Sequence, residues 1–189
     1  MATVNDLTRY LDRSEIEYTR LIHPPALAVR ELAATISAPE CCIAQTLLVR
    51  ADQHFWMVVS SADRTVNFEK LAKLLDAKEL READQTDMLF FFPECKLSPL
   101  PPFGNLYGFP VIADKRLKDN GRICFSACAP NESIFMRWQD YQRLVRPIVA
   151  EFTHSSAGSD RSNAGHGRAK NIVGSDEALL MRSFNEWTE

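Results

Sequence analysis

The stretch CKLSPLPPFGNLYGFPVIAD, residues 95–114, packs four prolines and two glycines between two apolar runs. Proline fixes φ and has no backbone donor, so Pro99, Pro101 and Pro102 pre-set an extended path at little remaining entropic cost. Gly104 lets the chain turn, or lets another group approach the backbone closely. A preordered loop of this kind can hold a polar ligand on its carbonyls and N–H groups without reorganising. It can equally be an ordinary rigid crossover. The run that follows, ending at Asp114, reads as a short strand.

Upstream of the loop, residues 4–14 carry Leu7, Tyr10 and Leu11 at helical spacing. Residues 16–23 alternate as a strand, stopped by Pro24 and Pro25, and ALAVRELAATI (26–36) follows as an amphipathic helix. CIAQTLLVRA and HFWMVVSS are β-rich runs separated by Asp52 and Gln53, the pattern of a hairpin. Asn67 caps a predicted helix bearing Phe68, Leu71, Leu74 and Leu75. LREADQTDMLFFF (80–92) reads as a second helix leading into the loop. Downstream, FPVIAD, RICFSA and SIFMR are strand candidates, and residues 138–152 form a closing helix that ends or kinks near Pro147.

Strands neither alternate strictly with helices nor segregate from them, which predicts a mixed α/β sheet surrounded by helices. Composition then shifts. Residues 153–174 are rich in Ser, Gly, Asn and Ala and read as a flexible linker, and residues 175–189 return to helical periodicity. The expected organisation is one domain over 1–152, a linker, and a C-terminal amphipathic helix that docks on the domain or on a partner.

The chain has 189 residues, 46% of them hydrophobic and 25% charged, as in a globular protein with one core. A net charge of −3 argues against extended duplex binding, though not against grasping one end of an RNA, where few phosphates need neutralising. The N-terminus has no apolar segment of signal-peptide type, and no run approaches membrane-spanning length. Five cysteines without a CxxC pair suggest a reduced, cytoplasmic setting. Cys124 and Cys128 lack the further ligands of a zinc site and read as small buried hydrophobes, so neither metal nor cofactor is expected. No GxSxG, P-loop, HExxH or dinucleotide fingerprint is present.

The succession AQTLLV, hairpin, NFEKLAKLL, SPLPPFGN, GFPVIAD and ESIFMRWQDYQRL resembles the YbaK/ProX family over residues 7–152. This family comprises editing domains associated with prolyl-tRNA synthetase and freestanding aminoacyl-tRNA deacylases. The resemblance implies a mixed, partly barrel-like sheet wrapped by helices. It also implies hydrolysis of the ester joining a wrong amino acid to tRNA, a step in translation fidelity. Such an ester is already activated, so positioning it in a size-selective pocket near water supplies much of the catalysis.

Three departures from the family pattern cluster at the implied site. Gln45 stands where the family has a lysine. Ser98 replaces the glycine of its G-x-x-x-P loop, while Pro102 matches the proline. Cys128 and Ala129 occupy a turn that is usually glycine-rich. The resemblance therefore implies catalytic positions at Gln45, Ser98 and Pro102. It implies substrate contacts from His23, Thr46, Pro101, Gly104, Asp114, Cys128 and Asn131. His23 either lines the acyl pocket or satisfies a carbonyl at a strand end, and Thr46 either orients Gln45 or only packs in its strand. Lys115, Arg116 and Lys118 are candidates for contacting the phosphates of a tRNA acceptor end. Two functions remain open: a deacylase weakened by Gln45, and a silent pocket that recognises an aminoacyl end or small molecule, for instance as part of a larger regulatory protein. Both require Gln45 and Pro102 to line one hollow.

Overall fold

The computed structural model describes residues 4–93, 95 and 99–155. The chain opens with α1 (Val4–Arg13), β1 (Tyr18–Ile22) and α2 (Val29–Thr35). β2 (Ala44–Ala51) and β3 (His54–Ser61) form the predicted hairpin, with Ala51 paired to His54 across a turn in which Asp52 has φ +52. Aspartate is among the few residues that tolerate this left-handed conformation. β4 (Arg64–Val66) leads into α3 (Phe68–Leu74), where the Asn67 side chain accepts a hydrogen bond from Lys70 N at 2.9 Å.

Residues 80–92 are not one helix. β5 (Leu80–Glu82) pairs with β2, and Asp84 then starts α4 (Gln85–Phe91) with a reciprocal capping box to Asp87. Asp84 favours a helix beginning after it, and the unpaired edge of β2 recruits the segment before it. β6 (Val111–Asp114) follows the proline loop, and a short α5 (Lys115–Asp119) carries Lys115, Arg116 and Lys118. β7 (Arg122–Ala129), β8 (Glu132–Arg137) and α6 (Trp138–Val145) come next. Arg146, at φ +51, ends α6 just before Pro147. The closing segment is not helical to residue 152, because it forms β9 (Ile148–Ala150) and β10 (Thr153–Ser155). Strand pairing therefore extends to Ser155, and the remainder of the predicted linker and the C-terminal helix lie outside the described residues.

The strands form a five-stranded sheet in the order β5-β2-β3-β6-β9, a three-stranded sheet β1-β8-β7 and a pair β10-β4. β3-β6 and β6-β9 are parallel, and an isolated Ile43–Cys124 bridge joins the chain before β2 to β7. The architecture is mixed α/β, with no closed barrel among the described strands.

Side-chain alternation along β2 and β3 sorts residues to two cores. Ala44, Leu48, Met57 and Val59 join the larger core with α1, β7, β8 and α6. Val49 and Val58 face a smaller core with Leu71 of α3 and Phe152, and Leu47 and Phe68 pack at its edge.

The proline loop serves the larger core. Pro101, Pro102 and Phe103 are buried, and Phe103 meets Phe125 and Tyr141 with ring centroids 5.3 and 5.6 Å apart. The Tyr141 hydroxyl donates to the Pro102 carbonyl at 2.8 Å, and burial pushes the phenol's pKa up, which keeps the proton on the donor. Replacing Tyr141 by Phe leaves that carbonyl without a donor and is expected to cost about 1–3 kcal/mol, read as a lower urea midpoint at unchanged m-value.

Candidate functional site

A cavity of about 400 Å³ opens on the small-core face of the five-stranded sheet. Its walls are Ala28, Val29 and Arg30 at the start of α2, Gln45 and Leu47 of β2, and Ala62, Arg64, Thr65, Val66 and Phe68 around β4. This volume falls in the usual range for small-ligand pockets. Leu47, Val66 and Phe68 provide an apolar surface, while Gln45 contributes an amide that makes no hydrogen bond among the described residues. Two guanidiniums flank the opening. Arg64 donates to Thr153 Oγ1 at 3.1 Å and to its carbonyl at 3.4 Å, which fixes the arginine against β10. Arg30 is exposed.

Beneath Gln45 lies an unusual neighbour. Ser60 is its cross-strand partner, is fully buried, and has a hydroxyl with no hydrogen-bond partner among the described residues. Thr46 Oγ1 is likewise buried and unpartnered among the described residues, but alternation turns it to the other face. One step beyond the Val59–Ala113 pair, Asp114 sits beside Ser60 on the cavity side of the sheet. Its Oδ1 accepts from Arg116 N at 2.9 Å and its Oδ2 from Phe152 N at 3.2 Å. Asp114 therefore caps α5 and anchors the chain at Phe152, and its bonds are with this scaffold.

The residues singled out in the sequence do not gather in one place. Gln45 faces the cavity, whereas Pro101, Pro102 and Phe103 are packed on the opposite side of the sheet. Pro102 is not among the residues lining the cavity beside Gln45, so the shared hollow that both functions were expected to require is not this one. A functional reading of the cavity stands on Gln45 and its own walls without the proline loop. Gly104 is also explained by packing, since a Cβ there would lie 2.7 Å from the Phe109 carbonyl and 2.6 Å from Val111 Cγ2. Ser98 lies outside the described residues.

His23 directly follows β1, and its ring is committed there. Nδ1–H donates to the Pro24 carbonyl at 2.8 Å, so in the neutral ring Nε2 accepts from the Ser133 hydroxyl at 2.9 Å. His23 is not among the residues lining the cavity, which matches the strand-end alternative. Asn131 is exposed and accepts from His23 N through its backbone carbonyl.

Cys128 is joined to Cys95 by a disulfide, so these two cysteines depart from the reduced reading, while Cys41, Cys42 and Cys124 are free thiols. Lys115, Arg116 and Lys118 are exposed on α5. Together with Lys70, whose hydrogen bond is the main cause, Lys115 and Arg116 hold the Glu151 carboxyl below its ordinary pKa. Among the described residues no group of three or more His, Cys, Asp or Glu could hold a metal ion, and no helix is long and apolar enough to cross a membrane.

Sequence reasoning missed Arg30, Arg64 and Ser60. The parity of β2 held a usable signal, because Gln45 shares its face with Leu47 and Val49 and not with Thr46.

Residues 23–144 match the family described as the aminoacyl-tRNA editing domain. The chain is 29% identical over 103 residues to a proline–tRNA ligase of Lactobacillus helveticus, a match that spans 54% of this chain and 18% of the ligase. Less than a fifth of that relative is therefore represented. A solved structure described as a candidate trans-editing enzyme for prolyl-tRNA synthetase superimposes with a TM-score of 0.69 at 15% identity, covering 82% of this chain and 99% of the other. A candidate signal transduction protein from Marinobacter aquaeolei superimposes with a TM-score of 0.64 at 15% identity, covering 80% of this chain and 31% of that one. At these identities the two structures establish a shared fold.

Proposed function

The chain belongs to the aminoacyl-tRNA editing domain family, and from that membership and the cavity beside Gln45 we propose that it binds the aminoacylated 3′ end of a mischarged tRNA and hydrolyses its ester. The observation that carries the reading is the cavity itself, lined by an apolar surface, the Gln45 amide and two guanidiniums. The amino-acid side chain rests against Leu47, Val66 and Phe68. Gln45 donates from its amide to the ester carbonyl oxygen, and Arg30 and Arg64 face the terminal phosphate. Water adds to the carbonyl carbon, the bond to the ribose oxygen breaks, and the products are a free amino acid and a tRNA with its hydroxyl restored. Lys115, Arg116 and Lys118 extend the basic surface available to the acceptor stem. The proposed setting is the cytoplasm, where charged tRNA is used.

A second reading is favoured by Gln45 specifically. An amide carries no charge, and charge-assisted hydrogen bonds are roughly twice as strong as neutral ones. A site without that charge can bind an aminoacyl end and release it intact. The Marinobacter protein has this fold in about a third of its length, a precedent for such a module inside a longer protein.

The test presents a panel of mischarged tRNAs to the full chain and to Ala62→Trp, which fills the cavity. Hydrolysis by the natural chain and its loss in Ala62→Trp supports the deacylase. Binding without hydrolysis, again lost in Ala62→Trp, supports the silent module. Indifference of both activities to Ala62→Trp, in a folded variant, sinks the cavity as the site.

A further inference from the structure

We propose that Cys95 and Cys128 are a redox-modifiable pair whose oxidation state sets how firmly the α2 wall of the cavity is held. The disulfide closes a separation of 33 residues with its Cα atoms 5.0 Å apart. Cys128 occupies a bulge where the β7–β8 register shifts between Ser126 and Ala129, and its φ is +65. A left-handed backbone is disfavoured for any residue with a Cβ, so something must hold it. The bond to Cys95 does this from one side. From the other, Ser126 Oγ donates to the Ala129 carbonyl at 3.1 Å.

The turn beyond Cys128 is what supports the cavity wall. The Pro130 carbonyl accepts from Ala26 N at 2.7 Å, and the Asn131 carbonyl accepts from His23 N at 3.0 Å. Residues 23–26 thus hang from the turn and run directly into Ala28, Val29 and Arg30, which line the cavity. At the far end of the tether, Cys95 N donates to the Phe92 carbonyl at 3.1 Å, and the Phe92 ring packs on Tyr107 at 4.6 Å. Oxidised, the pair clamps the turn to this aromatic anchor. Reduced, Cys128 is free to leave its left-handed conformation, and the carbonyls that carry α2 shift with it.

A disulfide that forms and breaks suits a protein working on charged tRNA, because thiol pools in that compartment keep permanent disulfides rare. This clause, and any effect on ligand affinity, rests on the function proposed above; the effect on the turn does not. The chemistry balances by thiol–disulfide exchange with a low-molecular-weight disulfide. One cysteine thiolate attacks that disulfide and displaces a small thiol. The second cysteine then attacks the mixed disulfide and displaces the other. Two electrons pass from the protein to the small disulfide, and both protons end on the released thiols. Two of the other three cysteines are poor competitors, since burial pushes the Cys42 and Cys124 thiols up to about 12.

The experiment equilibrates the full chain in glutathione buffers of graded potential, maps the bonded cysteines by mass, and follows hydrogen exchange of residues 23–32 without ligand. Cys95→Ser and Cys128→Gly are measured alongside. The expected result is a Cys95–Cys128 bond in oxidising buffer, roughly tenfold faster exchange on reduction, and the fast pattern in Cys95→Ser whatever the buffer. Loss of the bond also lowers the melting temperature by roughly 10 °C. Failure of the pair to oxidise overturns the proposal. So does a bond whose reduction lowers the melting temperature but leaves exchange at 23–32 unchanged. A parallel titration with 3′-alanylamino-3′-deoxyadenosine, a non-hydrolysable aminoacyl end, is expected to bind about fivefold more tightly to the oxidised chain. Altered exchange with no binding in either state counts against the tRNA reading and leaves the redox pair standing.

Discussion

Replacing Gln45 by lysine is expected to raise the rate of ester hydrolysis by about 10²–10³-fold, the usual scale for a preorganised electrostatic contact at an acyl-transfer transition state. The geometry supports an effect of this size at this position. Gln45 projects from β2 into the cavity, its amide is not engaged among the described residues, and the apolar surface beside it lowers the local dielectric. A lysine Nζ on the same strand carries a full charge toward the oxygen on which negative charge develops. Single-turnover hydrolysis of a mischarged tRNA, natural chain against Gln45→Lys, measures the gain. A gain in rate with little change in affinity identifies an attenuated deacylase, because a contact made only in the transition state moves the chemical step and not ground-state binding. Equal rates in the two proteins, with binding intact, would show that charge at this position does not limit the chemistry.

This prediction depends on which face of the sheet Gln45 occupies, and here the sequence was legible only in part. The hairpin could be read directly, because two β-rich runs flank a two-residue turn and the register follows from its length. The Asn67 cap and the helix after it were legible for the same reason, as local chemistry decides both. β5, β9 and β10 were not. Each has three residues, and each owes its form to an edge it can pair with, which no local pattern reports. The proline loop was legible as a preordered segment with two readings open, a ligand-holding loop and a rigid crossover. The described part of the loop delivers Phe103 to the core, a packing role that no local pattern reports. Cys95 and Cys128 lie too far apart in the chain for spacing to pair them. Gln45 and Pro102 were expected to meet because they belong to one family pattern, but Pro102 is not among the residues that line the cavity beside Gln45.

Replacing Asp114 by alanine is expected to destabilise the fold by about 3 kcal/mol. Asp114 is fully buried, so whatever loses its acceptor there cannot turn to water. The lost cap at Arg116 N contributes about 1 kcal/mol. The stranded N–H of Phe152 adds about 1–3 kcal/mol more, because it is left unsatisfied in the interior. For a chain of this length the melting temperature should fall by roughly 6–12 °C. Asn at this position retains one carbonyl oxygen and turns an NH₂ group toward the other donor, so it should recover only part of the loss. The consequence for the cavity is indirect but specific. Phe152 N anchors the chain immediately before Thr153, and Thr153 holds Arg64 on the cavity rim. Loosening that anchor should weaken ligand binding even at temperatures where the variant is folded. Addition of Thr153→Ala to Asp114→Ala should then cost less affinity than Thr153→Ala costs alone, since both act through Arg64. Full additivity of the two substitutions in a double-mutant cycle would show that Asp114 serves stability alone and has no part in holding the arginine.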